Sequence, residues 1–178
     1  MLIIGSDDPE GLEKMADMAG EALGAEYPLV GVPMVLEDGK WLDWMPPPGH
    51  KLRRRFREMK LRWIGSDYAE QMKLLDAPHE KTGDDAFVAN FSAVEKEDEG
   101  GLVSYCVWGE GVRTLLPETD RSVLMRECGD GPAAIGDRQR VVAVAGHLVE
   151  ETEDYPSRYR THGLPDGAGI EALAMGEL

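Results

Sequence analysis

The sequence predicts a single α+β domain, with a mainly antiparallel sheet of about five or six strands and helices packed mostly on one face. Three observations predict it. Strand-forming runs cluster between Phe87 and Met125 instead of alternating strictly with helices. Amphipathic stretches with capping signals lie on both sides of that cluster. Finally, 178 residues, 42% of them apolar, suit one core without metals or disulfides. A sub-division at the stiff Pro46-Pro47-Pro48-Gly49 break is compatible with the same reading.

Leu2-Ile3-Ile4 opens as a short strand candidate. Asp8 then reads as an N-cap with Pro9 at the first helical position, where its missing N–H costs nothing. Leu12, Met15, Ala16, Ala19, Ala22 and Leu23 keep helical spacing, and Gly24 stops the helix. Asp7, Asp8 and Glu10 crowd its positive end, so capping is the reading there and an anion site is not.

Tyr27 to Leu36 and Lys40 to Met45 flank Glu37-Asp38-Gly39, a strong hairpin signal. Pro28 and Pro33 place the first strand at an edge. Trp41 and Trp44, three apart, point to opposite faces, one into a core and one outward.

A second helix is expected from His50 to Trp63, with Leu52, Phe56, Met59 and Trp63 as its apolar stripe. Ser66 or Asp67 caps a separate shorter helix, with Glu70 completing a capping box and Tyr68, Met72 and Leu75 facing inward. Ala77 to Asp85 reads as loop. In the strand cluster, Phe87, Ala89, Phe91 and Ala93 share one side of a ribbon, and Asp98 to Gly101 turns the chain. Leu102 to Trp108 follows, with Cys106 alternating with Ser104 and Trp108 in a buried strand, and Ser122 to Met125 adds a third run.

Leu115-Leu116-Pro117-Glu118 and Cys128 to Pro132 read as connections, and Glu150 to Gly163 as polar loop. Asp137 to Val149 is assigned to helix by its length, with Asp137 as cap, and Ala168 to Met175 is a final helix weakened by glycine.

The formal net charge is −15, which disfavours duplex DNA or an anionic membrane as partner for the surface as a whole. No run approaches the roughly 20 apolar residues of a membrane span, and no basic leader precedes an apolar core. With only Cys106 and Cys128, these features point to a reduced, cytoplasmic setting. The exception to the acidity is residues 51–62. Seven bases there face only Glu58, a local +6 that leaves −21 for the other 166 residues.

That basic face admits three readings. It pairs with the chain's own carboxylates; or it docks an acidic partner or a second copy of the chain; or it holds a nucleic-acid backbone, which the surrounding −21 opposes. His50, His79, His147, His162 and the two cysteines lack metal-ligand spacing, so no metal or cofactor is expected. No Gly-x-Ser-x-Gly elbow, Walker loop or Gly-x-Gly-x-x-Gly turn is present.

The reading preferred on these grounds is a non-catalytic acidic protein–protein interaction module, of the inhibitor or immunity type. Its partner-binding residues would be Arg53, Arg54, Arg55, Arg57, Lys60, Arg62 and Trp44. The alternative is an enzyme or small-ligand binder with a dispersed site, built around His147, Cys128 and Arg113. A second alternative is nucleic-acid binding through helix residues 51–62.

Overall fold

The computed structural model describes residues 2–25, 32–82, 86–96, 101–129 and 131–174, with side chains excepted for 76–82. The first helix, α1 (Pro9–Leu23), begins where its capping chemistry dictates. Asp8 is extended, and its Oδ1 accepts a 3.0 Å hydrogen bond from the Gly11 N–H. Leu2 to Ile4 forms no strand, and Ile3 projects into solvent; an extended segment needs a partner strand for its backbone groups. The early part of the expected Tyr27–Leu36 strand lies outside the described residues. So do the Asp98–Gly100 turn, residues 83–85, Asp130 and Met175.

The hairpin forms as predicted. Strands β1 (Met34–Glu37) and β2 (Lys40–Asp43) pair antiparallel about Asp38 and Gly39, whose φ values of 49° and 76° are those of a type I′ turn. Trp41 is exposed and Trp44 is half-buried, the predicted split.

One long helix, α2 (Arg53–Thr82), replaces the two expected. Ser66, Asp67 and Glu70 match a capping box in sequence, but they lie mid-helix. With no proline to force a stop, Gly65 costs only about 1 kcal/mol of propensity. Burial of Phe56, Met59, Leu61 and Tyr68 along the helix offsets that cost.

Close contacts divide the chain into two compact units, Met1–Ile64 with Glu97–Leu102, and Gly65–Lys96 with Val103–Leu178. In the first, Leu12, Ala16 and Ala19 of α1 meet Leu52, Phe56 and Met59, with Trp44 and Met45 at the margin.

The second unit corrects the expected sheet. In place of one antiparallel sheet of five or six strands, the described residues form two four-stranded sheets there, and the hairpin makes a third, two-stranded one. One sheet has the order β3 (Phe87–Val88), β6 (Thr114–Pro117), β10 (Arg158–Thr161), β9 (Val149–Glu151). The other runs β4 (Ser92–Lys96), β5 (Gly101–Gly109), β7 (Arg121–Met125), β8 (Ala134–Asp137). Parallel pairs occur in both: β3 with β6, and β5 with β7. Parallel neighbours need a crossover. The chain supplies it by alternating sheets, so β6 of one sheet carries it from β5 to β7 of the other.

This alternation breaks the Phe87–Ala93 ribbon. Ala89 donates its N–H to Leu115 O, and Phe91 stacks on Tyr68 with ring centroids 5.3 Å apart. The chain then enters the other sheet at Ser92, leaving Phe87 and Ala93 exposed. Leu115 to Pro117, expected as a connection, is buried throughout because β6 lies between β3 and β10. The expected polar loop from Glu150 contains an antiparallel pair, β9 with β10.

Strand β5 keeps its predicted alternation, with Ser104, Cys106 and Trp108 all buried. The core joins Cys106, Trp108, Leu116, Leu124 and Ala134 to helices α3 (Arg138–Ala145) and α4 (Gly167–Leu173). Asp137 caps α3 as expected, its Oδ1 accepting from Arg140 N–H at 2.9 Å, and Asp166 caps α4. Among the described residues, no helix is long and apolar enough to cross a membrane.

Candidate functional site

The basic face of α2 is met by carboxylates of its own unit. Lys51 Nζ pairs with Glu13. Arg55 Nη1 lies 2.7 Å from Asp17 Oδ1, Arg54 Nε 2.8 Å from Glu58 Oε1, and Lys60 Nζ 2.6 Å from Asp43 Oδ2. Arg53 Nη1 donates to the Pro46 carbonyl.

The geometry follows from spacing. Residues 51 and 55 are four apart, as are 13 and 17 on α1, so α1 and the segment that runs from the turn at Lys51 into α2 bring both pairs into register. Arg57 is half-buried, and Arg62 is exposed. Each surface pair is worth roughly 0–1 kcal/mol, so the arrangement neutralises more than it stabilises.

Trp44 does not join this face as an outward anchor. It is half-buried against the α1–α2 core, and its backbone N–H donates to Pro33 O at 2.8 Å. The tryptophan presented to solvent is Trp41, opposite Leu36 on the hairpin.

The dispersed-site residues lie on three different segments. His147 sits in the 3-10 turn Gly146–Leu148 and is exposed. Cys128 is exposed after β7, and Arg113 is exposed just before β6, its carbonyl accepting from Phe87 N–H at 2.8 Å. Cys106 is the buried thiol. Burial pushes its pKa up, while hydrogen bonds to Thr119 and Ser122 and the charge of Arg158 oppose the rise. Among the described residues, no group of three or more His, Cys, Asp or Glu is placed to hold a metal.

The most constrained polar group is one the sequence did not single out. Arg158, on β10, is fully buried. Its Nε donates to Gln71 Oε1 at 2.6 Å, and Nη1 donates to Ala89 O and Leu115 O, both at 2.9 Å. Nη2 reaches Tyr68 O at 3.4 Å, and the guanidinium lies 5.1 Å from the Tyr68 ring centroid.

Tyr68 continues the network. Its hydroxyl donates to Ser157 O at 2.7 Å and accepts from Glu118 N–H at 2.9 Å. Burial pushes its pKa up to about 12. Nearby, Arg138 donates to Tyr159 Oη at 2.8 Å and pairs with Glu118 at 3.4 Å. These contacts tie α2 to β3, β6 and β10 within the second unit, an architectural role. No sequence signal marks Arg158, because its partners are 43 to 90 residues away.

No protein-family model matches the chain, and neither a curated protein nor a solved structure shows significant similarity to it.

Proposed function

We propose that the chain is an acidic protein-interaction module that works by binding, without catalysis, and that its partner is a basic protein. The observation that carries this reading is the internal neutralisation of the basic face of α2. Lys51, Arg54, Arg55 and Lys60 each meet a carboxylate of the same chain. The unit containing them is itself acidic, with nine bases against fourteen acids, a net −5. A cationic docking helix therefore has little support, and an acidic surface of net −15 has more. Charge of this kind acts mainly on association rate and partner choice.

The test is affinity capture of the full chain in native extract at increasing salt. A stoichiometric basic partner is expected, released as ionic strength rises from about 0.1 to about 1 M and the screening length falls from about 10 to about 3 Å. Recovery of no stoichiometric partner, of an acidic one, or of one held equally at both salts would overturn the reading.

A further inference from the structure

The β1–β2 hairpin carries apolar side chains outward. Its register sets Leu36 opposite Trp41 and Met34 opposite Asp43, so Met34, Leu36 and Trp41 share one face. They are 50%, 55% and 61% exposed. Leu42 is exposed on the hairpin's other face, and Leu74 on α2, Val142 on α3 and Tyr155 stand apart on other segments. Single exposed residues are ordinary, whereas a grouped set including Trp, Leu and Met marks an interaction surface.

Acidic side chains border this face. Asp38 stands in the turn, and Asp43, opposite Met34 on this face, ends β2 and pairs with Lys60, while Glu37 and Lys40 sit opposite each other on the hairpin's other face. A second copy would bring another −15 against the first and be repelled. A cationic partner is attracted by the same charge.

We propose that this face docks a cationic amphipathic segment of a partner protein. The segment's apolar residues rest on Met34, Leu36 and Trp41, and its lysines or arginines face Asp38 and Asp43. The proposal rests on the basic-partner reading above and assigns it a place.

Its test uses the full chain and two labelled synthetic peptides, one alternating lysine with leucine and one alternating glutamate with leucine, followed by fluorescence anisotropy. The lysine peptide is expected to bind, and more weakly as salt rises. Trp41→Ser and Leu36→Ser should each weaken it about tenfold or more, as loss of a central anchor does. Leu74→Ser, at a position 72% exposed on another element, should leave it unchanged.

Unchanged affinity in both hairpin variants removes this face while leaving salt-sensitive capture of a basic protein, and so the basic-partner reading, intact. Equal binding of the two peptides removes the charge complementarity. A concentration-dependent dimer in sedimentation that Trp41→Ser abolishes would assign the face to a second copy and overturn the proposal.

Discussion

Replacing Arg158 with Ala should destabilise the second unit more than any surface substitution. The side chain is fully buried and donates to Gln71 Oε1, Ala89 O, Leu115 O and Tyr68 O. Leu115 O keeps a second donor in the Ala89 N–H at 3.1 Å, so the sharper losses fall on Gln71 Oε1 and Ala89 O. Leaving a buried acceptor unmatched costs about 1–3 kcal/mol, and the emptied volume adds to it. The expected total is about 3–5 kcal/mol, a large part of the 5–15 kcal/mol typical of a domain.

Urea unfolding followed by circular dichroism reads this directly. With a slope near 2 kcal/mol per M, the midpoint should fall by roughly 1.5–2.5 M at unchanged slope. Arg158→Lys keeps the charge but lacks the planar fork that reaches three carbonyls and an amide at once, so an intermediate loss is expected. A loss below about 1 kcal/mol in Arg158→Ala would refute the reasoning, because the four contacts would then be geometry without energetic weight.

The same network carries a pH dependence. Burial raises the Tyr68 pKa above the ordinary value of 10 to about 12, with the Glu118 carboxylate adding to the rise and the Glu118 N–H and Arg158 opposing it. Tyr68 should therefore contribute full stability below pH 10, lost as pH climbs toward 12, and a pH series of urea midpoints should show that slope shrink in Tyr68→Phe. At Gly136 on β8, an added Cβ would stand 2.8 Å from Val141 Cγ2 and 3.0 Å from Leu173 Cδ2, so Gly136→Ala should cost about 1–3 kcal/mol in thermal unfolding. A double-mutant cycle on Arg55 and Asp17 should give a coupling of only about 0.2–1 kcal/mol, and 1 M salt should erase most of it. A thiol reagent should modify Cys128 in the native protein and Cys106 only after denaturant is added; equal rates at both would contradict the burial of β5.

What could be read in advance was local. The Asp8 and Asp137 caps, the Asp38-Gly39 turn, the split between Trp41 and Trp44, and the inward alternation of Ser104, Cys106 and Trp108 depend on residues a few places apart. What could not be read depends on distant partners. Strand β6 is four residues ending in a proline, too short to show a period, and it is a strand because β3 and β10 lie on either side of it. Arg158 falls in a stretch of polar residues, and it is buried because Gln71, Ala89 and Leu115 converge on it. The opposite error occurred at Ser66 to Glu70, where a strong local signal for a new helix was overridden by tertiary burial of the continuous one. For the candidate site, the seven bases of residues 51–62 were plain, but their partners Glu13, Asp17 and Asp43 were not, since only the packing of α1 and the hairpin beside α2 brings them near.

Segregation of charge along a chain is therefore not segregation in space. A +6 stretch in a −15 protein looks adhesive when laid out in order, yet folding sets Lys51 and Arg55 against Glu13 and Asp17 at matching four-residue intervals. The unit that holds these pairs carries fourteen acids. The remaining acid excess has no comparable basic counterpart within the unit, because nine bases cannot balance fourteen acids however they are arranged. On the proposed reading, a cation-rich partner complements this excess. The proposed docking face on the hairpin is where exposed apolar area adjoins acidic side chains, and charge alone would confer little lasting affinity once salt screens it.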